Sequence, residues 1–235
     1  MSVIGFMSGS GSNIRKLLEH QKKLGDKVYR VVALFSDRFD SKAPQIGKEY
    51  DIPVIIRDID AFYAARGKPR KDLSLRPAFE EEALRALHPF YAAAAAYGGY
   101  MSILSRLLVQ KYIGVNVHPA DLSVKRADGL KPKYTGDKAV AKAINAGEKY
   151  LRSSTHMMSE QVDCGQVLMI SKPMAVNVNE TPDQNQGRLK EAGDWEIFPK
   201  TLELIAQGRF ARNDEGLLYF DGKPAPDGIR LEDLT

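Results

Sequence analysis

The sequence predicts an α/β fold: a Rossmann-like, doubly wound and mostly parallel sheet with added C-terminal strands. In residues 1–57, three apolar segments alternate with two segments of helical periodicity. The apolar segments, such as Tyr29–Ser36, are continuous and rich in β-branched residues rather than alternating with polar positions. Strands of this kind are buried on both faces, and the helices between them connect parallel neighbours by right-handed crossovers.

The elements of the first half follow from these patterns and from turn residues. Met1–Met7 is a short apolar strand, and a turn of serine and glycine separates it from a helix whose apolar side chains share one face. We predict strands at Met1–Met7, Tyr29–Ser36, Ile52–Arg57, Phe90–Tyr97 and Ile113–Val117, and helices at Asn13–Leu24, Lys42–Tyr50 and Pro77–Leu87.

The second half contains shorter strands and one long helical region. Thr181–Gln207 has helical periodicity with an expected break near Gly193, and Phe210–Pro224 has the turn residues of a hairpin. We predict a further helix at Gly136–Ala146 and strands at Ser153–Met158 and Gln166–Pro173. Because the chain shows neither internal repeats nor a long linker, we expect a single domain spanning residues 1–235.

Composition and charge narrow the class of protein. Hydrophobic residues make up 43% and charged residues 27% of the chain, and no apolar run approaches the roughly 20 residues of a membrane helix. The single cysteine, Cys164, excludes an intrachain disulfide, and the N-terminus lacks the basic stretch of a signal peptide, which favours a cytoplasmic protein. The net charge of +4 gives little indication of nucleic-acid binding. The basic residues within 66–76 and 125–142 form either a solvated surface or a rim for an anionic small molecule.

The first turn, Ser8–Ser12, has the composition of an anion-binding loop. Gly9 and Gly11 allow a sharp turn, and the N-terminus of the following helix offers unpaired N–H groups. The loop lacks the lysine of a nucleotide-triphosphate loop, and Ile14 stands where a dinucleotide-binding loop has its third glycine. A single phosphate group is the favoured ligand, and a purely structural turn is the alternative.

Polar residues with catalytic potential lie at the end of a predicted strand. Asn116 and His118 are two positions apart, so their side chains share one face. In open α/β sheets, ligands bind at the carboxyl ends of strands. An amide can donate to a developing oxyanion and an imidazole can move a proton, a combination that suits acyl transfer. The alternative is that His118 ends a turn before Pro119 and that Asn116 satisfies a loop.

Asp163 and His156 are weaker candidates when judged by the residues alone. Asp163 precedes Cys164 and Gly165 in a turn, where aspartate is common for structural reasons. His156 lies within a predicted strand and is either a core histidine or a neighbour of His118. The sequence has no clustered metal-ligand motif, so we expect no metal.

Five segments together resemble the folate-dependent formyltransferases, and the resemblance covers almost the whole chain. Ser8–Asn13 is similar to the family's phosphate loop, and Gly99–Ser105 is similar to the segment that lines its folate pocket. The catalytic Asn and His of the family match Asn116–Pro119. Its second histidine and its aspartate loop match Ser154–His156 and Glu160–Gly165.

The resemblance implies transfer of a formyl group from 10-formyltetrahydrofolate to the amine of glycinamide ribonucleotide in purine biosynthesis, without a metal. Asn116 would donate to the oxyanion, His118 would shuttle protons as an imidazolium, and Asp163 would orient His118 and favour its charged form. Residues 1–100 would form the phosphate-binding half and residues 101–235 the folate-binding and catalytic half. The implied substrate-binding residues are Gly11, Ser12, Asn13, Arg76, His156 and Asp194, and the implied folate-binding residues are Met101, Ser102, Ile103, Leu104, Glu160, Gln161 and Val162.

The sequence departs from the family pattern mainly near the acceptor. Ser102 replaces an arginine of the folate segment, Arg152 replaces a glycine, and Ala120 replaces a serine. Extra residues lie within Asp121–Lys133, directly after the predicted catalytic histidine. We interpret this polar and basic stretch as a mobile flap over the acceptor, with Lys125 and Arg126 near its anionic groups; a solvated loop is the alternative.

Other functions remain open from the sequence. The acceptor could be another amine, on an amino-sugar nucleotide or methionyl-tRNA, or the chain could hydrolyse formyltetrahydrofolate. The tRNA enzymes carry a C-terminal barrel and the hydrolases carry an N-terminal regulatory domain, and neither is expected here. A non-catalytic nucleotide-binding module is a fourth reading, disfavoured because binding alone does not need Asn116, His118 and Asp163. The expected partners are small molecules, and a homodimer is left open.

Overall fold

The computed structural model describes residues 1–25 and 27–234. The chain forms two compact units, Met1–Val115 and Asn116–Thr235. The division comes after β5 (Ile113–His118) has begun, so this strand starts in the first unit and ends in the second. The division between the units lies later in the chain than residue 100, where we expected the phosphate-binding half to end and the folate-binding and catalytic half to begin.

The first unit has the predicted alternation of helices and parallel strands. Strand β1 pairs in parallel with β2 and β4, and β2 pairs in parallel with β3, which gives the order β4-β1-β2-β3. These pairings confirm the predicted α/β class. The elements are β1 (Ser2–Met7), α1 (Ser12–Lys23), β2 (Arg30–Ser36), α2 (Ala43–Tyr50), β3 (Val54–Ile56), α3 (Ile59–Ala64), a 3₁₀ turn (Leu73–Leu75), α4 (Arg76–Leu87), β4 (Ala94–Tyr97) and α5 (Arg106–Lys111).

The loops after β1 and β4 are fixed to each other. The Ser8 N–H donates to the carbonyl of Gly99 at 3.1 Å, and the Met101 N–H donates to the hydroxyl of Ser8 at 2.8 Å. Parallel neighbouring strands end at the same edge of a sheet, which is why two segments far apart in sequence meet here. The glycine-rich turn and the Gly99–Ser105 segment are therefore held side by side.

The second unit is a mixed sheet with smaller additions. Strand β7 pairs antiparallel with β8, and β8 pairs parallel with β13, in the order β13-β8-β7-β5. Two small sheets have the orders β10-β11-β12 and β6-β9. The remaining elements are α6 (Ala139–Asn145), β6 (Tyr150–Leu151), β7 (Ser154–Met157), β8 (Val167–Ile170), β9 (Met174–Ala175), α7 (Pro182–Leu189), α8 (Trp195–Ala206), β10 (Phe210–Arg212), β11 (Leu218–Phe220), β12 (Lys223–Pro224) and β13 (Ile229–Arg230).

The expected break near Gly193 is a widened turn instead. A π-helical segment, Lys190–Asp194, joins α7 to α8. A Cβ at Gly193 would lie only 2.8 Å from the Ser153 hydroxyl, so this turn approaches β7 closely because residue 193 has no side chain. In this position Asp194 is 3% exposed, and its carboxylate accepts a 2.6 Å hydrogen bond from Ser153.

The inserted stretch has a folded backbone. The Lys133 N–H donates to Val124 O and the Arg126 N–H donates to Lys131 O, each at 2.8 Å, which closes a hairpin at Val124–Lys133. At its base, the Leu122 N–H donates to the Ser154 hydroxyl of β7 at 3.0 Å. The predicted flap is therefore a short hairpin anchored to the sheet of the second unit. None of the helices formed by the described residues has the length and apolar character that a membrane crossing requires.

Candidate active site

The end of β5 presents Asn116 and His118 as predicted. His118 is 7% exposed, and its ring nitrogens face different acceptors. Nε2 lies 3.0 Å from the carbonyl oxygen of Tyr134, and Nδ1 lies 3.3 Å from Oδ2 of Asp163. The fold thus brings together two of the predicted catalytic residues, which are far apart in sequence.

Asp163 is held in place by its backbone conformation and by a hydrogen bond. Its φ of 53° is in the left-handed region, which Asp and Asn tolerate better than most residues. The N–H of Gly136 donates to Oδ2 at 2.7 Å. Two positions later, Gly165 packs directly on the carbonyl of Met157, because a Cβ there would be 1.7 Å from that oxygen. The turn that carries Asp163 is therefore pressed against β7.

His156 links Asn116 to Asp163. The ring is 1% exposed, with Nδ1 at 2.8 Å from the carbonyl of Met157. Its Nε2 lies 3.1 Å from Nδ2 of Asn116 and 3.5 Å from Oδ1 of Asp163. Of the two readings left open by the sequence, a core histidine or a neighbour of the catalytic group, the structure combines both. The His156 ring is buried, so a substrate does not reach it from solvent in this structure.

The contact with His156 orients the amide of Asn116. When the Nδ1–H of His156 donates to Met157 O, Nε2 carries a lone pair and accepts a hydrogen bond from the Asn116 amide N–H. The Asn116 amide has a second N–H, which has no hydrogen-bond partner among residues 1–25 and 27–234 and is available for a ligand. A donor fixed in this way is suited to an oxyanion, because it needs no reorientation during reaction.

The buried network sets the charge of its members. Burial is the largest influence on the pKa of His118 and lowers it; the Asp163 carboxylate and the Tyr134 carbonyl act in the opposite direction without overcoming it. Burial also tends to raise the pKa of Asp163, but the neighbouring His156 ring, the charge of His118 and the hydrogen bond from the Gly136 N–H lower it overall. Asp163 thus acts to raise the pKa of His118, and burial outweighs that contribution.

These pKa shifts suit His118 to accepting a proton. A neutral ring has one N–H for two facing acceptors, Tyr134 O and Asp163 Oδ2. Once protonated, the ring satisfies both. Protonation of His118 therefore supplies an N–H to the acceptor that the neutral ring leaves unmatched.

Acid is expected to destabilise the protein through both groups. Each has a pKa below its unfolded value, so each contributes stability above that unfolded value and loses it as the pH falls through the folded pKa. The His118 step should begin below about pH 6.5 and the Asp163 step below about pH 4. Urea unfolding of the wild type and of His118→Gln across this range measures it. If the difference between the two proteins does not change with pH, the shift assigned to His118 is wrong.

In the first unit, Gly11 precedes α1 with a φ of 67°. A Cβ there would lie 2.5 Å from Cδ1 of Ile46 and 2.6 Å from Cε of Met7, so both conformation and space require glycine. Among the described residues, no side chain hydrogen-bonds to the cap of α1, and its first turn has no acidic residue. The N–H groups of Ser12 and Asn13 thus open a 12-residue helix whose dipole favours an anion.

Arg76 carries a buried charge without a matching hydrogen-bond acceptor. It opens α4 at 4% exposure, and its Nε and Nη1 have no hydrogen-bond partner among residues 1–25 and 27–234. Its nearest carboxylate along the helix, Glu80, already accepts from the N–H and hydroxyl of Ser105 and the N–H of Leu108. Burying a guanidinium with two unbonded nitrogens is costly, even with the charge of Glu80 nearby, so this residue is suited to an anionic ligand.

The predicted folate segment has an apolar exposed edge and a polar interior. Met101 is 63% and Ile103 is 41% exposed, whereas Ser102 is buried. The Ser102 hydroxyl donates to Asp37 in a short hydrogen bond and accepts from Nη2 of Arg70 at 3.1 Å. Leu104 is also buried, so only alternate side chains of the segment face outward.

The remaining predicted site residues have different surroundings. Glu160, Gln161 and Val162 are exposed on the turn before Asp163. The resemblance implies that Asp194 contacts a ribose hydroxyl of the acceptor; in the structure its side chain is buried and its carboxylate accepts the Ser153 hydroxyl. Within the described residues, no group of three His, Cys, Asp or Glu side chains is arranged to hold a metal ion.

Comparison with known proteins decides the family. The sequence pattern that defines the family described as "Formyl transferase" matches residues 1–202. The chain belongs to the formyl transferase family. Phosphoribosylglycinamide formyltransferases of Haemophilus influenzae and Escherichia coli K12 are each 24% identical to this formyl transferase, covering 94% and 96% of its length and 93% and 96% of theirs. A phosphoribosylglycinamide formyltransferase structure from Coxiella burnetii superimposes with a TM-score of 0.76 at 23% identity, covering 98% of each chain, and confirms the fold.

Three features of this formyl transferase were missed from the sequence. The carbonyl of Tyr134 and the N–H of Gly136 contact the His118–Asp163 pair, but backbone groups carry no residue-type signal. The third feature is the close packing of Gly165 on the Met157 carbonyl. A glycine two residues after Asp163 was a usable signal for it.

Proposed function

We propose that this chain transfers the formyl group of 10-formyltetrahydrofolate to the amine of glycinamide ribonucleotide, as a cytoplasmic enzyme of purine biosynthesis. One observation carries the proposal: the buried network of Asn116, His156, Asp163 and His118 presents an oriented N–H donor and a proton acceptor on one strand end. The names of the relatives that match the chain end to end support the acceptor. The single cysteine fits a reducing compartment.

The chemistry follows from the groups present. The acceptor amine attacks the formyl carbon and forms a tetrahedral intermediate whose oxygen becomes negative; the second N–H of Asn116 donates to that oxygen. His118 takes the proton that the amine loses, and Asp163 stabilises the resulting imidazolium. The proton passes to the folate nitrogen as the carbon–nitrogen bond to the carrier breaks, releasing tetrahydrofolate and the formylated acceptor.

Two features of the first unit support binding of the acceptor phosphate. We assign its monophosphate to the N–H groups of Gly11, Ser12 and Asn13, because the helix they open has no acidic residue in its first turn. Arg76 supplies a buried cation for an anionic group of a substrate. The basic hairpin Val124–Lys133 belongs to the acceptor side in this proposal, as a flap with Lys125 and Arg126 toward anionic groups.

The donor is assigned to the exposed edge of residues 101–104, and the resemblance also implies folate contacts for the turn before Asp163. Met101 and Ile103 offer apolar side chains, and backbone groups between them can read the polar edge of a pterin. Val162, which is 47% exposed, offers a further apolar contact on its own turn, beside Glu160 and Gln161. Titration with a folate analogue, followed by calorimetry, tests this assignment. We expect saturable binding.

Asp194 keeps its proposed role with one amendment. Its carboxylate already accepts the Ser153 hydroxyl, so a ribose hydroxyl would share that carboxylate with a buried serine. If Asp194 serves only to hold the π-helical segment against β7, then Asp194→Asn will change stability without changing the KM for the acceptor.

The direct test uses the purified chain with 10-formyltetrahydrofolate and glycinamide ribonucleotide. We expect tetrahydrofolate and formylglycinamide ribonucleotide in equal amounts. Release of formate without acceptor would indicate a hydrolase instead. Formylation of an amino-sugar nucleotide or of methionyl-tRNA, with none of glycinamide ribonucleotide, would retain the chemistry and reject the acceptor.

Gly11→Ala is expected to weaken acceptor binding. The alanine would be strained at a φ of 67° by roughly 1–3 kcal/mol and would press on Ile46 and Met7, tilting the N–H groups that receive phosphate. The KM for glycinamide ribonucleotide should rise, and inhibition by inorganic phosphate should weaken. Gly67→Ala is the matched control, because residue 67 has a similar φ of 61°, no described atom within 4 Å of a Cβ, and lies outside the phosphate loop. Equal KM values for the two variants would contradict the phosphate assignment.

A further inference from the structure

A three-residue segment, Tyr134–Gly136, contacts both members of the His118–Asp163 pair. We call it the strap. Its first carbonyl, of Tyr134, lies 3.0 Å from Nε2 of His118, and its last N–H, of Gly136, donates to Oδ2 of Asp163 at 2.7 Å. The same carboxylate oxygen lies 3.3 Å from Nδ1 of His118. The strap and the pair therefore form a closed ring of polar contacts.

The strap is fastened from its outer side. The hydroxyl of Tyr134 donates to Oε1 of Glu148 at 2.6 Å, and Nζ of Lys133 reaches the same oxygen at 3.2 Å. Nζ of Lys142, on α6, donates to the carbonyl of Thr135 at 2.8 Å. The Tyr134 ring is 5% exposed and belongs to a hydrophobic cluster with Ala120, Ala139, Val140, Ala143, Leu151 and Leu189.

The Tyr134–Glu148 hydrogen bond restrains the strap, whose last residue, Gly136, is a glycine with a flexible backbone. Gly136 adopts a φ of 68° with no described atom within 4 Å of a Cβ, so packing at that residue does not restrain the strap. The preceding residues lead into the exposed hairpin Val124–Lys133. The position of the Tyr134 carbonyl therefore depends on the Lys142–Thr135 hydrogen bond, on the packing of the Tyr134 ring and on the bond from its hydroxyl to Glu148.

We propose that Glu148 is a positioning residue for the His118–Asp163 pair, acting through Tyr134 and the strap. The catalytic meaning of this role rests on the proposed function; its structural content does not. When Glu148 holds the Tyr134 hydroxyl, the Tyr134 carbonyl stays within hydrogen-bond distance of Nε2. Without that anchor the carbonyl moves away, and protonated His118 loses one of its two acceptors.

The direction of the effect on His118 can be stated. The groups that act on its charge are Asp163 and the Tyr134 carbonyl, which raise its pKa, and His156 and Lys142, which lower it alongside burial. Loosening the strap weakens a contribution that raises the pKa. The pKa of His118 should therefore fall further when the Glu148 anchor is removed.

Four single variants and one double variant separate the effect of the hydrogen bond from that of the charge. Glu148→Ala and Tyr134→Phe remove the same bond from opposite ends, and each should lower kcat roughly fivefold, the value of one ordinary hydrogen bond, with both KM values unchanged. Each should also lower the His118 pKa in an NMR titration, and the double variant should show no additional change. Glu148→Gln retains an oxygen acceptor and should restore both readouts. Glu180→Ala, which removes a carboxylate paired with Arg188 at 3.2 Å, is the control and should alter neither.

The outcomes decide between the alternatives. Unchanged titration of His118 in Glu148→Ala and Tyr134→Phe overturns the proposal, as does a Glu148→Gln protein that is as impaired as Glu148→Ala. If Glu148→Ala does not fold, Tyr134→Phe still tests the bond, because it keeps the Lys133–Glu148 ion pair. If the wild-type chain transfers no formyl group, the proposed function fails, whereas the His118 titration still supports or rejects the strap.

Discussion

Replacing His118 by alanine is expected to reduce kcat at least a hundredfold while folate binding is nearly unchanged. The ring is the proposed proton acceptor, two positions after Asn116 on the same strand end, and its loss also removes the His118 contact of Asp163. Groups of this kind typically contribute on the order of 2–4 kcal/mol to lowering the barrier. Single-turnover rates measured with saturating 10-formyltetrahydrofolate and acceptor isolate this step from binding.

Variants of the partners sharpen that test. Asn116→Ala should also reduce kcat heavily. Asp163→Asn keeps the shape of the side chain and tolerates the left-handed φ of 53°, so its loss of rate reports the missing charge rather than strain. Because the groups act together, double variants should lose much less than the product of the single losses. A His118→Ala protein with near-normal turnover would return His118 to a structural role in its turn.

Gly165→Ala is expected to disrupt the second unit more severely than any surface change. The new Cβ would lie 1.7 Å from the carbonyl oxygen of Met157 and 2.8 Å from its carbon, and backbone atoms cannot move aside as a side-chain end can. The cost should exceed the roughly 1–3 kcal/mol of an ordinary overpacked core position. Urea unfolding and near-ultraviolet circular dichroism measure the loss of stability and of packing.

The same clash reaches the site. The Met157 carbonyl accepts from Nδ1 of His156, so moving it would release the ring that orients Asn116. Gly187→Ala is the matched control, because residue 187 lies in α7 with no described atom within 4 Å of a Cβ, and alanine favours a helix. A Gly165→Ala protein as stable and as active as Gly187→Ala would refute the close packing of this turn.

The buried strands were the most predictable part of the fold. The apolar runs of the first unit signal their own burial, so β1, α1 and β2 lie within a few residues of their predicted bounds. The short helices α3 and α5 were missed, because six residues give no full apolar period. Their remaining signals are caps: the Asp58 carboxylate accepts from the Ala61 N–H, and Ser105 accepts from the Leu107 N–H.

The site was predictable in its residue types and not in its contacts. The spacing of Asn116 and His118 on a strand end, with the family resemblance, indicated the chemistry. The link through His156 could not be derived, because β5 and β7 are separated by the hairpin and α6 in sequence. The burial that lowers the pKa of His118 was likewise invisible, because it comes from packing around the ring rather than from its neighbours in sequence.

The hairpin Val124–Lys133 makes the chain easy to modify at one point. Its rungs from Val124 to Lys133 and from Arg126 to Lys131 close the loop before the chain reaches Tyr134. Leu130 near the tip is 82% exposed, so a dye or a short peptide attached there would leave the paired residues of the hairpin unchanged. A fluorophore at Leu130 would report, by its change in emission, whether the hairpin moves when acceptor or donor binds.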